Sequence, residues 1–169
     1  MIRATTAVRR TSAHVTMTKG RRIAQLLSFL VILLPAAAMA ASVEMMTTSG
    51  CSCCRAWARH LRAAGFEVTV KDLAMGQLMR AKLDAGVPAT LAACHTARIG
   101  EYIVEGHVPV REIERLLAEK PDAIGLVVPG MPIGSPGMDS AHRRETYEVL
   151  LLKRDGTTEV FQRYESAGG

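Results

Sequence analysis

Between residues 41 and 169 the spacing of hydrophobic positions changes repeatedly, and each change marks an element. Val43 to Thr48 is short and partly β-branched, and Ser49-Gly50 ends it, which predicts a first strand. Cys51 to Ala64 predicts a helix, with Trp57, Leu61 and Ala64 at helical spacing and Gly65 as its stop. Phe66, Val68 and Val70 alternate with polar neighbours and predict a second strand. Met75 to Ala85 predicts a second helix with Leu78, Met79 and Leu83 turned inward and Gly86 at its end. Val87-Pro88 opens the next segment, where Thr90–Ala93 and Tyr102–Val104 read as a strand pair around a turn at Thr96–Gly100. Pro109 suits the first position of a third helix, whose stripe is Ile113, Leu116 and Leu117 and which stops before Pro121. Ile124 to Val128 reads as a short strand, and Pro129 to Gly137 as a loop rich in Gly and Pro. Tyr147–Leu152, the turn Asp155-Gly156 and Thr157–Tyr164 then predict a C-terminal hairpin. No internal repeat is present, and strands alternating with helices place the chain in the α/β class.

Residues 1–40 break this pattern. From Met17 they follow the plan of a secretory signal: Lys19, Arg21 and Arg22, then the uncharged run Ile23–Leu34, Pro35, and an Ala38-Met39-Ala40 cleavage box. The run of twelve strongly apolar residues falls short of the about 20 that a spanning helix needs. The expected organisation is therefore an N-terminal extension and cleavable signal over 1–40, followed by one exported domain over 41–169. Cleavage near Ala40-Ala41 would release it into the periplasm without a membrane anchor.

Charge changes its meaning in this light. The chain carries +5, yet residues 1–40 hold six of its 21 basic residues and none of its 16 acidic ones. Residues 41–169 thus carry −1, so the high pI says nothing about nucleic acid, and a nucleic-acid partner is not expected.

The element order β-α-β-α-β-β-α is that of the thioredoxin and glutaredoxin core, here with an added Gly/Pro loop and hairpin. Two placements agree with it. Cysteines fall between the first strand and first helix, where that fold keeps its redox motif, and Val87-Pro88 opens the third strand, where the fold holds a cis-proline beside the thiols.

The chemistry concentrates in Cys51-Ser52-Cys53-Cys54. Cys51 and Cys54 form a C-x-x-C pair at a helix N-terminus, whose free N–H groups favour thiolate; that much describes a thiol–disulfide oxidoreductase. Cys53 alters the reading, because a third thiol competes for disulfides, whereas crowded thiolates serve well as ligands for a soft metal. His95 follows Cys94, and His107 lies just past the fourth strand, which returns to the cysteine end. Met131 and Met138 sit in the Gly/Pro loop. Thioether sulfur joined to thiolate and imidazole leans the choice from zinc to copper. His60, His142 and the Arg143-Arg144 pair read as solvated side chains. Cys94 poses a geometric difficulty: six residues past Pro88 along a straight strand, it would lie roughly 20 Å from the cluster, and it joins only if that strand is short or bulged and the chain turns back.

Several strings together resemble one bacterial family. They are Cys51-Ser52-Cys53-Cys54, Gly86-Val87-Pro88, Ala93-Cys94-His95-Thr96-Ala97, Val104-Glu105-Gly106-His107-Val108-Pro109 and Gly130-Met131-Pro132-Ile133-Gly134-Ser135-Pro136-Gly137-Met138. The family, long labelled as of unknown function and held to bind metal, includes the CopG-type periplasmic copper-resistance proteins. The resemblance spans about Thr47 to Tyr147. It implies a thioredoxin-like fold, export, copper handling alongside other periplasmic copper proteins, and a Cu(I) site held by cysteine with redox activity. Matched position by position, it assigns ligand roles to Cys51, Cys53, Cys54 and Cys94, and to His107. Ser52 stands where the family usually has Gly, and Ala93 where it usually has Ser; neither change removes a sulfur.

Overall fold

A computed structural model describes residues 41–168. The reading of residues 1–40 as extension and signal lies outside the described residues. No helix among those described is long and apolar enough to cross a membrane.

The described chain runs β1 (Ser42–Thr47), α1 (Ser52–Ala63), β2 (Glu67–Asp72), α2 (Met75–Asp84), a single 3₁₀ turn (Ala89–Leu91), β3 (Thr96–Ile99), β4 (Tyr102–Glu105), α3 (Val110–Glu119), β5 (Gly125–Val127), β6 (Tyr147–Leu152) and β7 (Thr158–Tyr164). One seven-stranded sheet has the order β2-β1-β3-β4-β5-β6-β7. The β1–β2 pair is parallel, and β3 runs antiparallel to both β1 and β4. The first four strands therefore have the arrangement of a thioredoxin core. β5 pairs parallel with β4, and the β6–β7 hairpin continues the sheet beyond it.

Strand alternation fixes which face each residue covers. Val43 and Met45, opposite Ile99 and Ala97, pack on one face with Trp57 and Leu61 of α1 and Ile113 and Leu116 of α3. On the other face a smaller cluster joins Val87 to Ile103, Val127 and Leu152. Burying a core side chain of this size stabilises the fold by about 1.5–3 kcal/mol relative to exposure.

Five expectations are corrected. Thr90–Ala93 is not a strand: the chain makes a 3₁₀ turn at Ala89–Leu91, and the residues assigned to a turn, Thr96–Ile99, form the central strand β3. Thr96, Ala97 and Ile99 are fully buried between two neighbouring strands, a pairing that local periodicity does not reveal. Pro88 is not cis, since every described peptide bond is trans; it caps the 3₁₀ turn with φ −60° and ψ 142°. Cys94-His95, rather than Val87-Pro88, occupies the position immediately before β3. The buried stripe of α2 is Leu78 and Lys82, one turn apart, while Leu83 is exposed. Pro109 is the N-cap of α3 and not its first helical residue.

Candidate metal centre

The site is assembled at one end of the sheet from four separated stretches. α1 supplies the first. Cys51 is its N-cap, in extended conformation and with no capping bond from its side chain, and Ser52, Cys53 and Cys54 are the first helical residues. The unpaired N–H groups of that turn and the absence of any acidic residue in it give the sulfurs a positive local field. Cys51 and Cys54 are joined as a disulfide, and Cys54 is fully buried. Cys53 keeps a free thiol, with Sγ 3.5 Å from Cys51 Sγ.

The second stretch carries Cys94. Because β3 begins only at Thr96, Cys94 sits in the bend that enters the strand and not along it. Its Sγ lies 3.8 Å from Cys53 Sγ. The long separation along a straight strand therefore does not arise. The sulfurs of Cys51, Cys53, Cys54 and Cys94 all lie within 4.8 Å of one another.

The third stretch is the turn after β4. His107 is buried, and its Nε2 lies 3.0 Å from Cys94 Sγ. A carbonyl oxygen can only accept, so Nδ1 carries the proton and donates it to Pro136 O at 2.8 Å. That bond fixes the tautomer and leaves the Nε2 lone pair facing the sulfur. His95, fully buried, packs its ring 4.5 Å from Trp57 and 5.0 Å from His107, with Nδ1 3.5 Å from Cys94 Sγ. Its Nε2 is buried without a hydrogen-bond partner. Cys94, His95 and His107 form a second group of donor atoms within 4.8 Å.

The Gly/Pro loop is the fourth stretch. Gly137 adopts φ +86°, and a Cβ there would meet Cys53 O at 2.6 Å and Trp57 N at 2.7 Å, so the loop lies directly on the start of α1. Met138 lines an open depression of about 570 Å³ together with Cys53, Ser52, Ala56 and Arg59. Met131 is 52% exposed. His60 bonds Asp139 at the surface and His142 is exposed, in keeping with solvated roles.

Burial governs the protonation of the free groups. Desolvation, and then the neighbouring Cys53, push the Cys94 thiol up to about 12. Desolvation lowers His107, opposed by its bond to Pro136 O. His95 is driven well below the ordinary imidazole range by burial first and by His107 and Lys82 after it. In this form the centre holds a neutral thiol between neutral imidazoles.

Two solved structures carry the same architecture. "Copper resistance protein copG- Form 1" aligns with a TM-score of 0.70 and 39% identity, covering 75% of this chain and 98% of that one. "Copper resistance protein copG- Form 2" aligns at 0.69 and 38%, covering 74% and 98%. The chain belongs to this family of copper-resistance proteins. Residues 91–138 also match the family described as "Protein of unknown function, DUF411", a span that holds Cys94, His95, His107 and the whole Gly/Pro loop. No curated protein matches the sequence.

Family membership and geometry together expose what the sequence reading passed over. Pro136 acts through a backbone oxygen, which no motif shows. Trp57 donates its indole N–H to Val108 O at 2.8 Å and so ties α1 to the turn that bears His107. Lys82 and Glu105 form a fully buried ion pair at 2.6 Å. A signal for that pair was present: Lys82 stands four residues after Leu78, and Glu105 ends the apolar run Tyr102-Ile103-Val104.

Proposed function

We propose that this protein holds copper as Cu(I) in the periplasm through the thiolates of Cys51, Cys53, Cys54 and Cys94, and that it contributes there to copper tolerance. The convergence of four sulfurs within 4.8 Å carries the reading. With the Cys51–Cys54 bond reduced, the site offers four soft donors, with the Nε2 of His107 beside Cys94 and Met138 lining the depression that Cys53 also borders. Such a donor set favours Cu(I), and hard oxygen-seeking cations find few partners in it.

The site has two states. In the disulfide form Cys53, Cys94 and His107 remain as donors; in the dithiol form all four sulfurs do. This permits an exchange of electrons with the cargo: the Cys51 and Cys54 thiolates each give one electron to a Cu(II) ion, and two Cu(I) ions and one disulfide result. A metal-bound thiolate cannot join a disulfide, so holding copper through Cys51 and Cys54 and closing their bond exclude each other.

A second reading rests on one specific observation, the Cys51–Cys54 disulfide at the N-terminus of α1. In it the protein exchanges disulfides with other proteins and copper is incidental. An anaerobic Cu(I) titration of the reduced protein and of each Cys→Ser variant, run beside an insulin-reduction assay, separates the two. Copper retention requires tight uptake that weakens in Cys53→Ser and Cys94→Ser. Strong insulin turnover that survives Cys53→Ser, without tight Cu(I) uptake, would sink it.

A further inference from the structure

The buried Lys82–Glu105 pair lies outside the donor set, and its chemistry calls for an explanation. Both side chains are almost completely buried, with Lys82 Nζ 2.6 Å from Glu105 Oε1. The same oxygen accepts the backbone N–H of Ala93 at 2.6 Å, whereas Oε2 is buried with no partner. An ion pair that leaves a carboxylate oxygen unsatisfied is a poor way to stabilise a core, and apolar residues of similar volume often do better. Its connections point elsewhere. Ala93 immediately precedes Cys94, and Glu105 is two residues before His107.

These two segments lie side by side. Gly106 donates its N–H to His95 O at 3.0 Å, and a Cβ on Gly106 would meet Ala93 Cβ at 2.7 Å and Val128 O at 2.4 Å. The bend bearing Cys94 is thus fastened to the turn bearing His107 at Ala93 and again at His95. Lys82, projecting from α2, anchors the carboxylate that makes the first fastening.

We propose that Glu105 is a positioning residue for Cys94: its carboxylate, with its charge balanced by the Lys82 ammonium, hooks the Ala93 N–H and fixes the Cys94 thiol against Cys53. The part concerning metal rests on the Cu(I) reading above; the placement of the thiol does not.

The test separates the hook from the buried charges with two double variants. Lys82→Met/Glu105→Gln removes both charges and keeps a side-chain oxygen for the Ala93 N–H; Lys82→Met/Glu105→Leu removes the charges and the hook. Both avoid stranding a single buried charge, which is the change most apt to unfold the protein. Each is placed in the Cys51→Ser/Cys54→Ser chain, where Cys53 and Cys94 are the remaining thiols, and the Cys53–Cys94 disulfide is equilibrated with glutathione to give an effective concentration. Circular dichroism and unfolding curves confirm that each is folded. The Leu variant is expected to fall about tenfold below the Gln variant, the factor that follows from leaving one buried N–H unpaired. The Gln variant is expected to stay within about threefold of its parent. Equal values for the two variants, or failure of the parent to form the bond, would overturn the proposal. The same pairs in the four-cysteine chain are then compared for Cu(I) affinity, with the same about tenfold split expected. A split in effective concentration without one in Cu(I) affinity upholds the positioning and instead removes Cys94 from the copper site.

Discussion

His107 donates its Nδ1 proton to Pro136 O at 2.8 Å while its Nε2 faces Cys94 Sγ at 3.0 Å, so a loop carbonyl decides which nitrogen the sulfur meets. Outer contacts of this kind typically carry a 10- to 100-fold effect on metal affinity. Gly137 keeps that carbonyl in place by lying on the backbone of α1. Gly137→Ala is expected to lift the loop, reduce stability by about 1–3 kcal/mol and weaken Cu(I) binding about tenfold. Gly130→Ala serves as the control, since it shares a positive φ of 71° but meets nothing within 4 Å. Thermal unfolding and Cu(I) competition read both effects; equal losses of Cu(I) affinity in the two variants would remove the loop from the site.

Acid should destabilise the metal-free protein through its two buried imidazoles. Both His95 and His107 are depressed in the folded state, so below about pH 6.5 the unfolded chain takes up protons that the native chain refuses. The unfolded state then binds more protons, and stability falls as pH falls. Each histidine contributes a slope of up to about 1.4 kcal/mol per pH unit. Urea unfolding between pH 7 and 5, followed by the single tryptophan Trp57, should show this slope and lose part of it in His95→Gln. A flat curve in the parent protein refutes the burial of neutral histidines.

Cys94 should react slowly with alkylating reagents at neutral pH. Its thiol is raised to about 12, chiefly by desolvation. Because the thiolate is the nucleophile, labelling by iodoacetamide should climb about tenfold per pH unit well past pH 9. Over the same window the unfolded chain loses this proton first, so stability declines as pH rises above about 9. Peptide mass spectrometry that found a plateau by about pH 9.5 would contradict the burial effect.

The two loop methionines should behave differently. Met138 borders the depression that contains Cys53, whereas Met131 is largely exposed. Met138→Leu keeps the volume and removes the sulfur, and it is expected to slow or weaken Cu(I) uptake by a few-fold. Met131→Leu is expected to leave uptake unchanged. Stopped-flow uptake from a Cu(I) chelate distinguishes them, and identical behaviour of the two variants argues against a thioether at the entrance.

Much of this architecture was readable because its signals are local. The helix over Trp57 and Leu61, the end of α3 before Pro121 and the hairpin around Asp155-Gly156 each announce themselves within a few residues. β3 did not, because Thr96-Ala97-Arg98-Ile99 is a strand by virtue of its two neighbours and not by alternation. That displacement alone resolves the geometric difficulty of bringing Cys94 to the cluster. The thiols and imidazoles that the structure gathers were singled out by residue type and by family resemblance. Lys82 was hidden by the assumption that a lysine faces water, and Pro136 by the silence of backbone atoms in a motif.

The dispersal of the site along the chain has a kinetic consequence. Residues 51–54, 93–95, 105–107 and 136–138 are brought together only when the sheet and its loops have closed, and such non-local contacts form late in folding. An incompletely folded chain offers Cys51, Cys53 and Cys54 without Cys94, His107 or the loop. A ligand that engages all four stretches favours the finished molecule over its precursors. Loading with metal would therefore come after folding, and the occupied centre would act as a latch that slows the chain's return to open forms.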